Sequence, residues 1–268
     1  MIRQPAVAGM FYPDAPDELA REVESFTVPR AKEPVRALGC VVPHAGYRYS
    51  GRVAGAVYAR LELPRRYIIL CPRHYPEGAA LAIHPDGEWL TPLGAVPVDA
   101  ELAAELKKEC PPLREDSVAH REEHALEVQL PFLQRLVGDF RFVAIALGPV
   151  RFETLDQLGL AIAHVVAKHD EPILIVASSD MNHYENDDVT RAKDRKAIAR
   201  MLALDPRGLF DTVNREEISM CGVGPATTML TAAKQLGARQ AVEVQYATSG
   251  DADGRRQRVV GYAGILVQ

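Results

Sequence analysis

Tyr67-Ile68-Ile69-Leu70-Cys71, stopped by Pro72-Arg73-His74-Tyr75-Pro76, decides the fold. Five apolar residues with no polar alternation fit a short strand buried on both faces, the pattern of a parallel sheet covered by helices on each side. The prolines end the strand and leave His74 just beyond it. Working outward, Ala37 to Val42 is a second apolar strand candidate and ends at Pro43-His44. Gly51 to Leu61 then places Val53, Ala54, Val57 and Tyr58 on one helical face, so the unit reads strand, loop, helix.

The alternation continues along the chain. Leu81 to His84 and Gly94 to Val98 read as shorter strands around the hairpin signal Pro85-Asp86-Gly87. Helices are expected at Asp99 to Glu109 and at Glu122 to Val137, the latter bent by Pro131. Strand Arg141 to Leu147, helix Thr154 to Lys168, strand Pro172 to Ala177, loop Ser178 to His183 and helix Asp187 to Leu202 follow. After Asp205-Pro206 a short helix runs to Asn214, and Cys221-Gly222-Val223-Gly224-Pro225 opens a helix that Gly237 closes. Ala241 to Thr248 and Val259 to Val267 are the final strands, flanking a turn at Gly250 to Arg256. Repeated strand and helix imply an α/β fold: one domain over 1–268 with a central, mostly parallel or mixed sheet flanked by helices.

Bulk composition narrows the function classes. The chain has 268 residues, 47% hydrophobic and 25% charged, with a formal net charge of −5, as expected of a globular protein. Lys and Arg are scattered, which argues against a nucleic-acid surface. The densest basic stretch, Arg255-Arg256-Gln257-Arg258, reads as a solvated turn. The N-terminus lacks the apolar core of a signal peptide, and no apolar run approaches the roughly 20 residues of a membrane span. A cytoplasmic protein without membrane association is expected. Cys40, Cys71, Cys110 and Cys221 show no C-x-x-C spacing, so free thiols are expected.

Four polar stretches carry the chemistry: Pro43-His44-Ala45-Gly46-Tyr47, Pro72-Arg73-His74, Ser178-Ser179-Asp180-Met181-Asn182-His183 and Met220-Cys221-Gly222. Each follows an apolar run, where the strand ends of an α/β sheet gather ligands. Two imidazoles and one anionic ligand would hold a transition metal and leave coordination positions open. Gly46 and Gly222 would allow close backbone approach or positive φ beside their ligands. Asp180 and His183, three apart, suit an aspartate that orients an imidazole or binds a substrate hydroxyl beside a general acid or base, although Asp180 capping the next turn is an equally simple reading. His124 and Glu127 share a helix face and can support the same cleft or form a surface pair. His84, His120, His164 and His169 fall in a hairpin, a polar loop and an exposed helix end and receive no role. Cys40 and Cys71 lie inside strands and read as core.

Several long motifs, in order, extend the reading: Gln4-Pro5-Ala6-Val7-Ala8-Gly9-Met10-Phe11-Tyr12-Pro13, Pro43-His44-Ala45-Gly46-Tyr47-Arg48-Tyr49-Ser50-Gly51, Glu123-His124-Ala125-Leu126-Glu127-Val128-Gln129-Leu130-Pro131-Phe132, Ser178-Ser179-Asp180-Met181-Asn182-His183-Tyr184 and Cys221-Gly222. Together they resemble the Memo family, the B component of the AmmeMemoRadiSam set, from end to end. The resemblance implies a fold similar to class III extradiol dioxygenases of the protocatechuate 4,5-dioxygenase type, which bind non-haem iron. It places the metal ligands on His44, His74 and Cys221, the acid–base histidine on His183 and its companion aspartate on Asp180. The dioxygenases use a carboxylate where this chain has Cys221, so ring cleavage does not carry over directly. Ala125 stands where serine is expected, and Asn182 where serine is commoner.

A thiolate donates more charge than a carboxylate and favours softer ions, so iron, the first choice that the resemblance implies, and copper both stay open, with zinc also compatible. The expected function is therefore a metal-dependent oxidoreductase of unstated substrate. The alternatives are a binding or adaptor protein that uses the pocket for a peptide, small molecule or metal, as animal members of the family are regarded, and a metallohydrolase. The resemblance further implies functional partnership with AMMECR-type and radical-SAM proteins.

Overall fold

A computed structural model describes all 268 residues. Its elements are β1 (Ile2–Arg3), α1 (Pro16–Thr27), β2 (Gly39–Val42), α2 (Tyr47–Tyr58), β3 (Arg66–Pro72), β4 (Leu81–Ile83), β5 (Glu88–Thr91), β6 (Gly94–Pro97), α3 (Ala100–Glu109), β7 (Arg114–Glu115), α4 (His124–Glu127), α5 (Leu130–Val137) and β8 (Arg141–Leu147). They continue with α6 (Phe152–Val166), β9 (Ile173–Ser178), β10 (His183–Glu185), α7 (Asp187–Leu202), α8 (Pro206–Arg215), α9 (Val223–Gln235), β11 (Ala241–Thr248), α10 (Ser249–Asp253) and β12 (Val259–Val267).

The main sheet runs β10-β12-β2-β9-β3-β8-β4-β7, with β11 also paired to β12. Its centre, β2-β9-β3-β8, is parallel, while β12 joins β2 and β4 joins β8 antiparallel, so the sheet is mixed. Side chains alternate across it. Val41, Ile68, Leu70, Val143, Ile145 and Ile175 face one core, packed with residues of α3, α6, α7, α8 and α9. Cys40, Val42, Tyr67, Ile69, Phe142 and Val176 face the other, packed with α1, α2, α4 and α5. Burial on both faces is why these strands read as unbroken apolar runs. The consequence for function is positional: β2, β9 and β3 are adjacent and parallel, so the segments after Val42, Ser178 and Pro72 emerge side by side at one edge of the sheet.

Several expectations need correction. Helix α1 was not foreseen; it opens at Ala15-Pro16 with no side-chain cap and buries only Leu19, Val23 and Thr27. Helix α2 begins at Tyr47, a turn before Gly51. The expected helix Glu122 to Val137 is two helices interrupted at Gln129, because Pro131 lies in the first turn of α5, where its missing N–H is harmless. The turn at Gly250 to Arg256 contains α10, closed by the left-handed Gly254. His84 and His120, expected in a hairpin and a polar loop, are both buried and pack edge-to-face with each other and with Trp89. Gly46 has a negative φ, and a Cβ there would meet Phe11 O at an ordinary 3.5 Å, so nothing requires glycine at that position.

No helix is long and apolar enough to cross a membrane. All four cysteines are free thiols, with Cys40 and Cys71 in the core as expected.

Candidate metal centre

His44 follows β2 and is 2% exposed. Its Nδ1 lies 2.9 Å from Ser178 Oγ. Ser178 has one hydroxyl hydrogen, and the carbonyl of Ala125 takes it at 2.5 Å, while Gln129 Nε2 donates to the same oxygen at 3.0 Å. Ser178 Oγ can therefore only accept from His44, which fixes the proton on Nδ1 and leaves Nε2 unprotonated. Burial, reinforced by the neighbouring imidazoles, holds His44 well below the ordinary histidine pKa, so the ring is neutral.

His74 follows β3 and is locked in the same sense by Glu123, the N-cap of α4. Glu123 Oε2 accepts from His74 N at 2.6 Å, and Oε1 accepts from His74 Nδ1 at 2.8 Å and from Ala125 N at 2.9 Å. Burial works against the charge on Glu123, but these hydrogen bonds outweigh it and keep the carboxyl below its usual range. Burial likewise opposes protonation of His74, and Glu123 outweighs it in the other direction, making the imidazole more basic. A carboxylate behind an imidazole orients a metal ligand and strengthens it.

Cys221 arrives from the opposite side, at the N-terminus of α9. Its approach depends on Gly222: a Cβ there would lie 2.3 Å from Ser179 Cβ and 2.6 Å from Ser178 O. The close contact seats α9 against the end of β9 and puts Cys221 Sγ 3.2 Å from His44 Nε2. His44, His74 and Cys221 each offer a donor atom, and these atoms lie within 4.8 Å of one another. Burial, with the nearby Asp180 carboxyl, pushes the thiol well above its ordinary pKa. A bound cation would supply the charge that a thiolate there requires. His74, Glu123 and His124 form a second cluster of similar size, but both oxygens of Glu123 are committed to hydrogen bonds, so it belongs to the support of His74.

Asp180 and His183 share the loop after β9 and do different things. Asp180 Oδ1 accepts from His44 N at 2.8 Å and Ala45 N at 3.3 Å; it holds the His44 loop, makes no hydrogen bond to the His183 ring and caps no following turn. His183 donates Nδ1–H to Ser219 O at 2.8 Å, and since a carbonyl only accepts, its Nε2 is also a free lone pair. Both residues line a cleft of about 490 Å³ with His44, His74 and Cys221, and its walls include Phe11, His124, Tyr184 and Val260.

His124 and Glu127 separate. His124 stacks on His74 at 4.7 Å and against Phe11 at 4.7 Å, inside the cleft. Glu127 is buried and turned toward the N-terminal arm, where it pairs with Arg3 at 2.5 Å and accepts from Ala6 N, Val7 N and Tyr12 Oη. That staple is what delivers Phe11 to the cleft wall. Glu123, Ser178, Gln129, Ser219 and Phe11 were not foreseen from sequence. Glu123, Gln129, Phe11 and Ser178 lie inside the quoted family motifs, which give them no role, and Ser219 carried no signal.

Residues 3–266 match the family model described as Memo-like protein. A MEMO1 family protein of Methanopyrus kandleri is 42% identical over 279 residues, covering 99% of each chain. One of Methanosarcina barkeri is 42% identical over 268 residues and 100% of both chains, and one of Pyrobaculum aerophilum is 41% identical over 276 residues, covering 99% of this chain and 98% of its own.

Proposed function

The chain belongs to the Memo family, and from that premise and the cleft's geometry we propose that it is a metal-dependent oxidoreductase related to the class III extradiol dioxygenases. His44, His74 and Cys221 would hold iron, or copper as second choice, with zinc also compatible with the donor set. The observation that carries the reading is the set of enforced tautomers: Ser178 and Glu123 each take an Nδ1 proton, so two imidazole lone pairs and a soft sulfur turn toward one small volume. A bound metal of this kind supplies an electrophilic centre with open positions.

The chain's own groups supply the rest. His183, with Nδ1–H tied to Ser219 O, presents Nε2 to the cleft as a base for an acidic O–H of a bound substrate. Asp180 keeps the His44 loop in place through two backbone N–H groups. Phe11 and Val260 supply apolar wall that limits water around the reacting groups. A thiolate in place of the dioxygenase carboxylate makes this centre more electron-rich, which separates its reaction from simple ring cleavage.

Metal analysis of the protein purified without added ions, paired with oxygen uptake, tests this. Iron or copper at one equivalent, lost in His44→Ala, together with oxygen consumption is the expected result. Stoichiometric zinc with hydrolysis of a model ester would replace the proposal with a metallohydrolase. Metal-free protein whose His44→Ala variant binds its ligand as well as the parent would replace it with a binding role.

A further inference from the structure

Behind His183 lies a polar chain, running from exposed Ser219 to buried Asn182 and Asp194, that the metal ligands do not use. His183 N donates to Ser219 Oγ at 2.7 Å, and its ring donates to the carbonyl of the same residue. Ser219 in turn donates N–H and O–H to Asn182 Oδ1 at 3.0 and 3.1 Å. Asn182, fully buried, donates its backbone N–H to Asp194 Oδ1 at 2.9 Å and its amide to Glu185 at 2.7 Å. Asp194 is also fully buried, and its other oxygen accepts from Tyr246 Oη at 2.6 Å. Strand β12 closes the loop from below: Met181 N donates to Gly261 O, and Gly261 N donates to Asn182 O. A Cβ at Gly261 would lie 1.8 Å from Asp194 Oδ2, so that strand is bare where the carboxyl sits.

A carboxyl removed from water without a cation hydrogen-bonded to it is unfavourable unless its lone pairs are used. Here they are used on loop residues that lead to one imidazole. The links that matter for the ring have a single sense, because the Ser219 carbonyl and the Asn182 amide oxygen only accept and a backbone N–H only donates, while the one Ser219 hydroxyl hydrogen can go to Asn182 Oδ1 or to His183 O. The direction runs from His183 through Ser219 and Asn182, with Asp194 anchoring the Asn182 backbone. Ser219 is also two residues before Cys221, so one short segment delivers the thiol and the acceptor for His183.

We infer that Ser219, Asn182 and Asp194 are positioning residues that hold His183 as the Nδ1–H tautomer, with Nε2 facing the cleft. This rests on the reading of His183 as the proton-handling residue and adds the groups that orient it for that step. An acidic O–H of a bound substrate gives its proton to Nε2; the substrate becomes the oxyanion and His183 the imidazolium, still donating Nδ1–H to Ser219 O. The same proton returns from Nε2 to the product, which restores the starting tautomer.

Long-range proton–nitrogen NMR of histidine-labelled protein reads the tautomer directly, on the full chain both metal-free and loaded with zinc as a diamagnetic probe. His183, assigned by its loss in His183→Asn, is expected to show a protonated Nδ1 and an unprotonated Nε2 at alkaline pH. Ser219→Ala, an exposed position whose change spares the core, keeps the carbonyl that accepts Nδ1–H but loses the Oγ that accepts from His183 N and donates to Asn182 Oδ1, so it and Asn182→Ala should loosen that alignment and shift the tautomer ratio by about fivefold, the worth of one hydrogen bond. Asp194→Ala should do the same while Asp194→Asn, which keeps an acceptor for Asn182 N, restores the single tautomer. The His44 and His74 signals should not move. An Nε2–H tautomer in the parent, or an unchanged ratio in Ser219→Ala and Asp194→Ala, overturns the inference. If the tautomer is as expected but iron, copper and oxygen uptake are all missing, the oxidoreductase reading fails and the positioning network stands.

Discussion

Glu123 shows most clearly how one buried side chain sets a site. Its two oxygens serve three N–H groups, of which two belong to His74. Glu123→Gln offers an amide NH₂ to one of those donors, so either the His74 backbone or its ring loses an acceptor and the imidazole is free to turn. Zinc affinity, measured by competition with a chromophoric chelator, should fall about 10- to 100-fold with little change in the circular dichroism spectrum; unchanged affinity would mean that His74 is oriented by something else. The candidate ligands His44 and His74 were legible in the sequence because they follow apolar strands closely, where local pattern is enough. Cys221 needed the family motif. Glu123 and Ser219 were not legible, because they act across 49 and 36 positions through hydrogen bonds that leave no periodic trace.

At the scale of elements, the site depends on how closely α9 approaches β9. Gly222 is the contact point, and the ordinary negative φ of −94° there shows that the glycine serves proximity and not backbone conformation. Gly222→Ala must therefore displace α9 or the Ser178-Ser179 segment, and either movement separates Cys221 Sγ from His44 Nε2. The variant should lose metal binding by at least tenfold while the strands and most of α9 stay folded, since Val223–Gln235 buries nine residues against the sheet and its neighbours. Chelator competition with a parallel urea titration separates the two effects; loss of fold alone, with site affinity intact, would count against this account. The central strands β2, β3, β8 and β9 were readable because apolar runs of this length have few other uses, whereas the short β1, β5, β7 and β10 were not expected. The helix break at Gln129 was not, since Pro131 reads equally as a kink or as a first-turn residue until Gln129 is seen bonding Tyr58, Pro43 and Ser178.

For the molecule as a whole, the two-faced sheet buries ionisable groups on both sides, and their opposed titrations shape its acid stability. Burial, with His84 beside it, lowers His120 from the ordinary 6.5 to about 3. Between those values the unfolded chain binds a proton that the native protein refuses, so stability is full above about 6.5 and falls with pH toward 3, at about 1.4 kcal/mol per pH unit for one group. Asp194 acts with the opposite sign: burial raises it from 3.8 to about 7, so in that window the native protein holds a proton that the unfolded chain has lost, and stability rises as pH falls. The two slopes offset each other between about 3.8 and 6.5, and replacing either residue exposes the other. Asp194→Asn should steepen the loss of stability on acidification through that range, and His120→Phe should flatten or reverse it. Urea midpoints of metal-free protein at half-unit pH intervals give the test: parallel curves for parent and both variants would show that neither buried group titrates as its surroundings dictate.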